Sequence, residues 1–240
     1  MHYPWIRSVS PARQIPGVAP EIFHWSFNRP NGNIIEAETG PRSNNFTGQW
    51  INVSENNWAV RLSTTTGAST DGPVFYRNNI VTVKFRFRPY SYEAGASTRY
   101  VFATGVNPTT GTSFSCSSNY NQLIFNNSNS GGANTIIANA ATFVPLGQWH
   151  DVVVSFRTFN NGTFAGSIGA TSNPPNVYIN GVSAFTFAGV SVSGGGANYD
   201  EWFPHRVFTI GTTTGSGGFD CDLDYIKIFN HYQTYPLGNP

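Results

Sequence analysis

The chain has 240 residues, of which 39% are hydrophobic and 15% aromatic, so it can build a sizeable core. A chain of this length buries about three quarters of its unfolded surface. Only 10% of residues are charged and the net charge is +1, which leaves no electrostatic footprint for nucleic acid or an acidic membrane. No hydrophobic run approaches the length of a membrane span.

Residues 1–20 are punctuated by Pro4, Pro11, Pro16 and Pro20. That density excludes helix and sheet interior and favours an extended arm. The first twenty residues hold no apolar signal-peptide core. Either the chain is not exported by that route, or a signal has already been removed. Trp5 and Ile6 are the natural anchors of the arm, with Arg7 and Arg13 available to pair with acids on a neighbouring subunit. The bland alternative is a free tail.

Residues 21–240 show no linker and read as one domain. EIFHWSFN, residues 21–28, alternates and opens it as a strand. A turn follows at Arg29–Asn33, then a strand WAVRL, residues 58–62, and a polar loop over 63–79. Residues 80–88 form the clearest strand. Val81, Val83, Phe85 and Phe87 take one face, and Thr82, Lys84, Arg86 and Arg88 the other. That basic stripe reads first as a solvated sheet face and second as a ligand-facing one. Further strands are expected at 100–104, 122–126 and 148–156. Residues 176–182 run into Asn180-Gly181, a pair suited to a type I′ hairpin because both positions need positive φ.

Val207–Asn230 is the most informative stretch. An apolar run ends at Gly211, a Gly/Thr/Ser loop follows, and a second run spans Leu223–Phe229. Period-two alternation puts Asp224 with Ile226 and Ile228, and Leu223, Tyr225 and Phe229 on the opposite face. Apolar residues on both faces argue a strand covered on both sides. A carboxylate on a core-side face needs hydrogen bonds, a cation or a metal. Many short strands, turn signals between them and no convincing helix predict an all-β, two-sheet antiparallel sandwich.

Three places resemble laminin G-like domains of the concanavalin A-like lectin/glucanase jelly rolls. Phe208, Ile210 and Gly211 match one closing motif of that family. Phe219, Leu223, Asp224, Ile226, Lys227, Ile228, Phe229 and Asn230 match the next, with Cys221 where glycine is usual. Trp149, His150, Val152, Val154 and Phe156 match a third, followed by the Asn176–Val182 hairpin. The resemblance implies a jelly roll whose last strand lies beside its first. It also implies that Asp224 could ligate a structural calcium ion, helped by backbone carbonyls; the alternative is a carboxylate held by N–H groups. Asp220, Asp222 and Asp224 alternate along one face, and three converging oxygens could serve such an ion.

Catalytic signals are weak. Glu36 and Glu38 could share a strand face at a glycosidase-like separation, but the Glu-x-Asp-x-Glu pattern of the related glucanases is absent. No metal-ligand spacing appears among the histidines, and His150 reads as a hydrogen-bonded strand residue. Cys116 and Cys221 either pair, if the fold brings them together, or remain buried thiols. The loop Tyr199–His205 combines Tyr199, Asp200 and Trp202, residue types that stack on sugar rings and bind hydroxyls. Arg99 and Tyr100, near Tyr90 and Tyr92, form a second candidate glycan site. The expectation is a non-enzymatic lectin-like sandwich, docked by its arm into an assembly on a virion or extracellular surface. The alternative is a carbohydrate-active enzyme of the same clan.

Overall fold

The computed structural model describes residues 21–55, 57–74, 80–92, 99–104, 113–119, 122–129, 132–139, 144–157, 176–183, 207–211 and 217–230. Among these residues every regular element is a β-strand. They are β1 (Glu21–Trp25), β2 (Gln49–Ser54), β3 (Asn57–Leu62), β4 (Gly67–Ser69), β5 (Ile80–Pro89), β6 (Arg99–Thr104) and β7 (Ser113–Asn119). There follow β8 (Gln122–Asn129), β9 (Gly132–Asn139), β10 (His150–Arg157), β11 (Asn176–Ile179) and β12 (Val182–Ser183). The last are β13 (Phe208–Gly211), β14 (Gly217–Gly218) and β15 (Cys221–Phe229).

The strands form two sheets. The larger has eight strands in the order β12-β11-β10-β5-β15-β3-β2, with β1 also paired to β15. The smaller has seven, ordered β4-β13-β6-β7-β8-β9, with β14 beside β6. All pairings are antiparallel except β14 with β6. The expected two-sheet antiparallel sandwich is therefore the fold.

β15 is the hub of the larger sheet. Along one edge it pairs with β5 over nearly its whole length. Its other edge is shared: β3 takes Cys221–Leu223 and β1 takes the segment from Ile226 to Phe229. The last strand thus lies beside the first, as expected. The core sits between the sheets. Phe85 and Phe102 face each other across it at 5.3 Å between ring centroids, and Phe23 meets Phe208 at 5.0 Å. Val81, Val83, Phe85, Val152, Val154, Ile226 and Ile228 are all buried there.

Two local features follow from residue chemistry. Asn180 and Gly181 have φ of 51° and 79°, so the Asn-Gly pair makes the predicted I′-type reversal between β11 and β12. Gly211 closes β13 at φ 70°, and a Cβ there would stand 2.3 Å from the Thr66 carbonyl oxygen, so only glycine fits.

One expectation about β15 is corrected. Its register against β5 slips between Leu223, opposite Phe87, and Tyr225, opposite Arg86. A bulge adds one residue, and one residue reverses the inward/outward alternation. Cys221 and Leu223 therefore join Ile226 and Ile228 in the core, whereas the Asp224 carboxylate meets Arg86 of the basic outer stripe. Asp224 does not share a face with Ile226.

Candidate functional site

The outer face of the larger sheet carries a cluster of charged and aromatic side chains. Register builds it. Asp222 stands opposite Arg61 of β3 on one side and opposite Arg88 of β5 on the other. Three adjacent strands thus present Arg-Asp-Arg in one row. Trp149 precedes the first residue of β10, and His150 there stands opposite Phe87. Trp149 therefore reaches the row from the far side of β5.

The Asp222 side chain is wholly buried, with 0% exposure, although it lies on the outer face. Arg61 covers it by donating Nε–H to Oδ1 at 2.6 Å and Nη2–H to Oδ2 at 3.1 Å. Arg88 donates Nε–H and Nη2–H to Oδ2 at 3.0 and 2.6 Å. The Tyr90 hydroxyl donates to Oδ2 at 2.5 Å and accepts from Arg61 Nη2 at 2.7 Å. Burial pushes the Asp222 carboxyl up, but hydrogen bonds from Arg61, Tyr90 and Arg88 outweigh it and hold it below the usual carboxylate value. The bond to Asp222 raises the Arg61 guanidinium in turn. Burial, then the bond to Asp222, raises the Tyr90 phenol.

Aromatic rings tile this cluster. Arg61 lies 4.5 Å from the centre of the Tyr90 ring, and Arg88 lies 4.8 Å from the Trp149 ring. Arg86 approaches Trp149 at 5.2 Å and also donates to Asp224 at 2.9 Å. Cation–π contacts of this kind fix the planar guanidiniums in place. In the next row Tyr225 donates to Asp151 at 2.8 Å. Burial raises the Tyr225 phenol, and Asp151 adds to the effect. The arrangement offers fixed N–H donors beside half-buried aromatic rings, which suits a polar ligand with flat apolar faces.

Sequence reasoning named only part of this cluster. The stripe Lys84, Arg86 and Arg88 was visible by alternation. Arg61, Tyr90, Trp149 and the role of Asp222 depend on cross-strand register, which periodicity within one strand does not reveal. Arg99 and Tyr100 open β6 on the smaller sheet, opposite Gly217 and Gly218. Tyr100 is half-buried and its phenol is raised by burial. Of their expected neighbours, Tyr90 belongs to the Asp222 cluster, and Tyr92 donates to the Val144 carbonyl at 2.5 Å while packing on Phe219. Tyr90 and Tyr92 thus take different partners, and Tyr92 and Tyr100 both meet Phe219.

Tyr199, Asp200 and Trp202, and the arm residues Trp5, Ile6, Arg7 and Arg13, lie outside the described residues. Asp224 meets a protein cation, and burial raises its carboxyl despite Arg86. Among the described residues no three His, Cys, Asp or Glu side chains converge to hold a metal ion. The calcium expected at Asp224 would therefore draw its further ligands there from backbone carbonyls and not from a cluster of such side chains. Glu36 accepts from Asn31 and Glu38 from Ser26, so each acid has its own exposed partner. Cys116 and Cys221 are buried free thiols, not a disulfide. His150 accepts at Nδ1 from Asn180 Nδ2–H at 3.1 Å and lies 2.9 Å from the Pro145 carbonyl through Nε2. That pairing places its proton on Nε2. It is a structural residue of the hairpin.

No protein-family model matches the chain, and no curated protein matches it. Solved structures share its fold. Domain 4 of AbnA, a GH43 extracellular arabinanase from Geobacillus stearothermophilus solved with arabinotriose, is similar at 18% identity and a TM-score of 0.55. That match covers 90% of this chain and 95% of that domain. Trypanosoma rangeli sialidase is similar at 15% identity and a TM-score of 0.56, over 89% of this chain but 31% of the sialidase. Botulinum neurotoxin type C, whose way into cells is dependent upon interaction with two ganglioside molecules, is similar at 13% identity and a TM-score of 0.56. There the match covers 89% of this chain and 49% of the other. The chain therefore spans less than half of the latter two.

Proposed function

We propose that this chain is a non-enzymatic, lectin-like sandwich that binds glycans on the outer face of its larger sheet. The observation that carries this reading is the row Arg61–Asp222–Arg88 ending at Trp149. An aromatic ring offers a stacking surface to the apolar face of a pyranose, and guanidinium N–H groups donate to its hydroxyls. Support comes from structural neighbours solved with arabinotriose or dependent on gangliosides, which make this fold a suitable frame for sugar recognition. The finer kinship to laminin G-like domains belongs to the same proposal and rests on the motifs around Gly211 and β15.

In this reading residues 1–20 dock the sandwich into a larger assembly on a virion or extracellular surface, with Trp5 and Ile6 as anchors. Deleting residues 2–16 should leave a folded domain that no longer joins its assembly. Unchanged assembly of the deleted form contradicts the docking role. The second reading, a carbohydrate-active enzyme, is favoured by the glycosidase neighbours. It needs two carboxylates about 5–10 Å apart and open to substrate. On this face Asp222 and Asp224 are already bound to arginines.

The test of the glycan reading is a glycan array probed with wild-type protein and with Trp149→Ala. Loss of signal with melting behaviour kept is expected. If Trp149→Ala binds like wild type while Trp202→Ala does not, the glycan belongs to the Tyr199–His205 loop and the sheet-face reading fails.

A further inference from the structure

Resting on the sheet-face reading, we propose that Arg61 and Arg88, clamped side by side by Asp222, form a receptor for the carboxylate of an acidic sugar whose ring lies against Trp149. The charge balance points there first. Two guanidiniums share one carboxylate, and among the described residues each pairs with no acid but Asp222. The trio therefore carries one uncompensated positive charge. Of the nearby acids, Asp224 pairs with Arg86, while Asp151 and Asp220 keep their charge and accept from the Tyr225 and Ser91 hydroxyls; none of the three pairs with Arg61 or Arg88 among the described residues.

The donors point the same way. Arg61 and Arg88 bond Asp222 and Tyr90 only through Nε and Nη2. Their Nη1 groups have no partner among the described residues. The side chains are 40% and 28% exposed, so part of each arginine reaches solvent. Asp222, at 0% exposure, cannot touch a ligand; it acts as a positioning residue. Its five hydrogen bonds, together with the stacking on Tyr90 and Trp149, fix both guanidiniums before any ligand arrives. Fixing them beforehand lowers the ordering cost of binding. A planar carboxylate suits paired N–H donors of this kind. One surplus charge matches a single carboxylate, whereas a nucleic acid or other polyanion needs many cationic contacts. Uronic and sialic acids share this chemistry, and a test with both separates them.

The experiment is a calorimetric and NMR titration of the full chain with two ligand pairs. They are trigalacturonic acid and its methyl ester, and 3′-sialyllactose and its methyl ester. In at least one pair the acid should bind about tenfold more tightly, as expected for a charge-assisted bond lost on esterification. That preference should shrink as salt is raised, and the acid should shift the Trp149 indole signal. The pair that shows the preference identifies the sugar class. Arg88→Lys keeps the charge but loses the fork, and should cut the preference to about threefold or less. The ligand pairs need no variant, so a folding defect in Arg88→Lys leaves the main comparison intact. Acid and ester binding alike, with the Trp149 signal moving, overturns the carboxylate receptor and keeps the sheet-face reading. No Trp149 response to any of the four at about 5 mM, a few times a millimolar Kd, overturns the acidic-sugar receptor, while the sheet-face reading falls only if array-positive glycans also leave Trp149 unmoved.

Discussion

Replacing Asp222 by asparagine keeps the side chain's shape and removes its charge. The carboxylate accepts from Arg61 Nε and Nη2, Arg88 Nε and Nη2, and the Tyr90 hydroxyl. Four of these bonds end on Oδ2, so the least damaging asparagine keeps an oxygen there. Its NH2 group then faces Arg61 Nε–H, donor against donor, where 2.6 Å separates the heavy atoms. Two guanidiniums also lose their shared counter-charge. Removing one partner of a fully buried pair costs about 3–5 kcal/mol. Here the arginines reach water, which discounts the figure to about 2–4 kcal/mol. Urea unfolding at pH 7 should show this as a lower midpoint at unchanged slope. The pH dependence is a second check. The folded-state carboxyl is held low, so its stabilisation is present above the unfolded carboxylate value of about 3.9 and is lost as pH falls through the folded value. Wild type and Asp222→Asn should therefore converge only below about pH 4. A difference under about 0.5 kcal/mol at pH 7, or convergence already near pH 6, would refute the clamp.

Phe85→Ala should cost about 3–5 kcal/mol by chemical denaturation, because a ring packed on Phe87 and Phe102 leaves a cavity; a loss below 1 kcal/mol would contradict a close-packed core there. His24 is held below its ordinary value by burial, with Glu21 opposing. Protonating it therefore costs stability as pH falls from about 6.5 through the lower folded value. His24→Gln should flatten the melting-temperature slope in that window, and equal slopes for the two proteins would contradict it. Chelation should leave melting unchanged, since Asp224 is met by Arg86; a calcium-dependent rise in melting temperature that Asp224→Asn abolishes would instead establish calcium ligation there.

The strands with strict alternation were legible in the sequence. Val81, Val83, Phe85 and Phe87 announce β5, and Asn180-Gly181 announces its hairpin. β7 and β9 were not, because their serines, asparagines and glycines have low strand propensity and gain their place by pairing on either side of β8. β4 was absorbed into an expected loop, being a three-residue edge strand. The site was half legible. Lys84, Arg86 and Arg88 share a face by local spacing, but Arg61 joins them from 161 residues before Asp222 through register alone. The bulge at Asp224 has no signature in the alternation of residues 221–229. It reversed the assignment of Leu223 and Asp224, and so concealed that Asp222 is the wholly buried aspartate.

The most direct measurement is an amide-resolved NMR map of the full chain titrated with a glycan chosen from the array. Binding on the larger sheet predicts shifts clustered at Arg61, Arg86, Arg88, Tyr90 and the Trp149 indole. Shifts confined to β6–β9 of the smaller sheet, or a bound glycan that leaves Trp149 and both strands β3 and β5 unmoved, would contradict it.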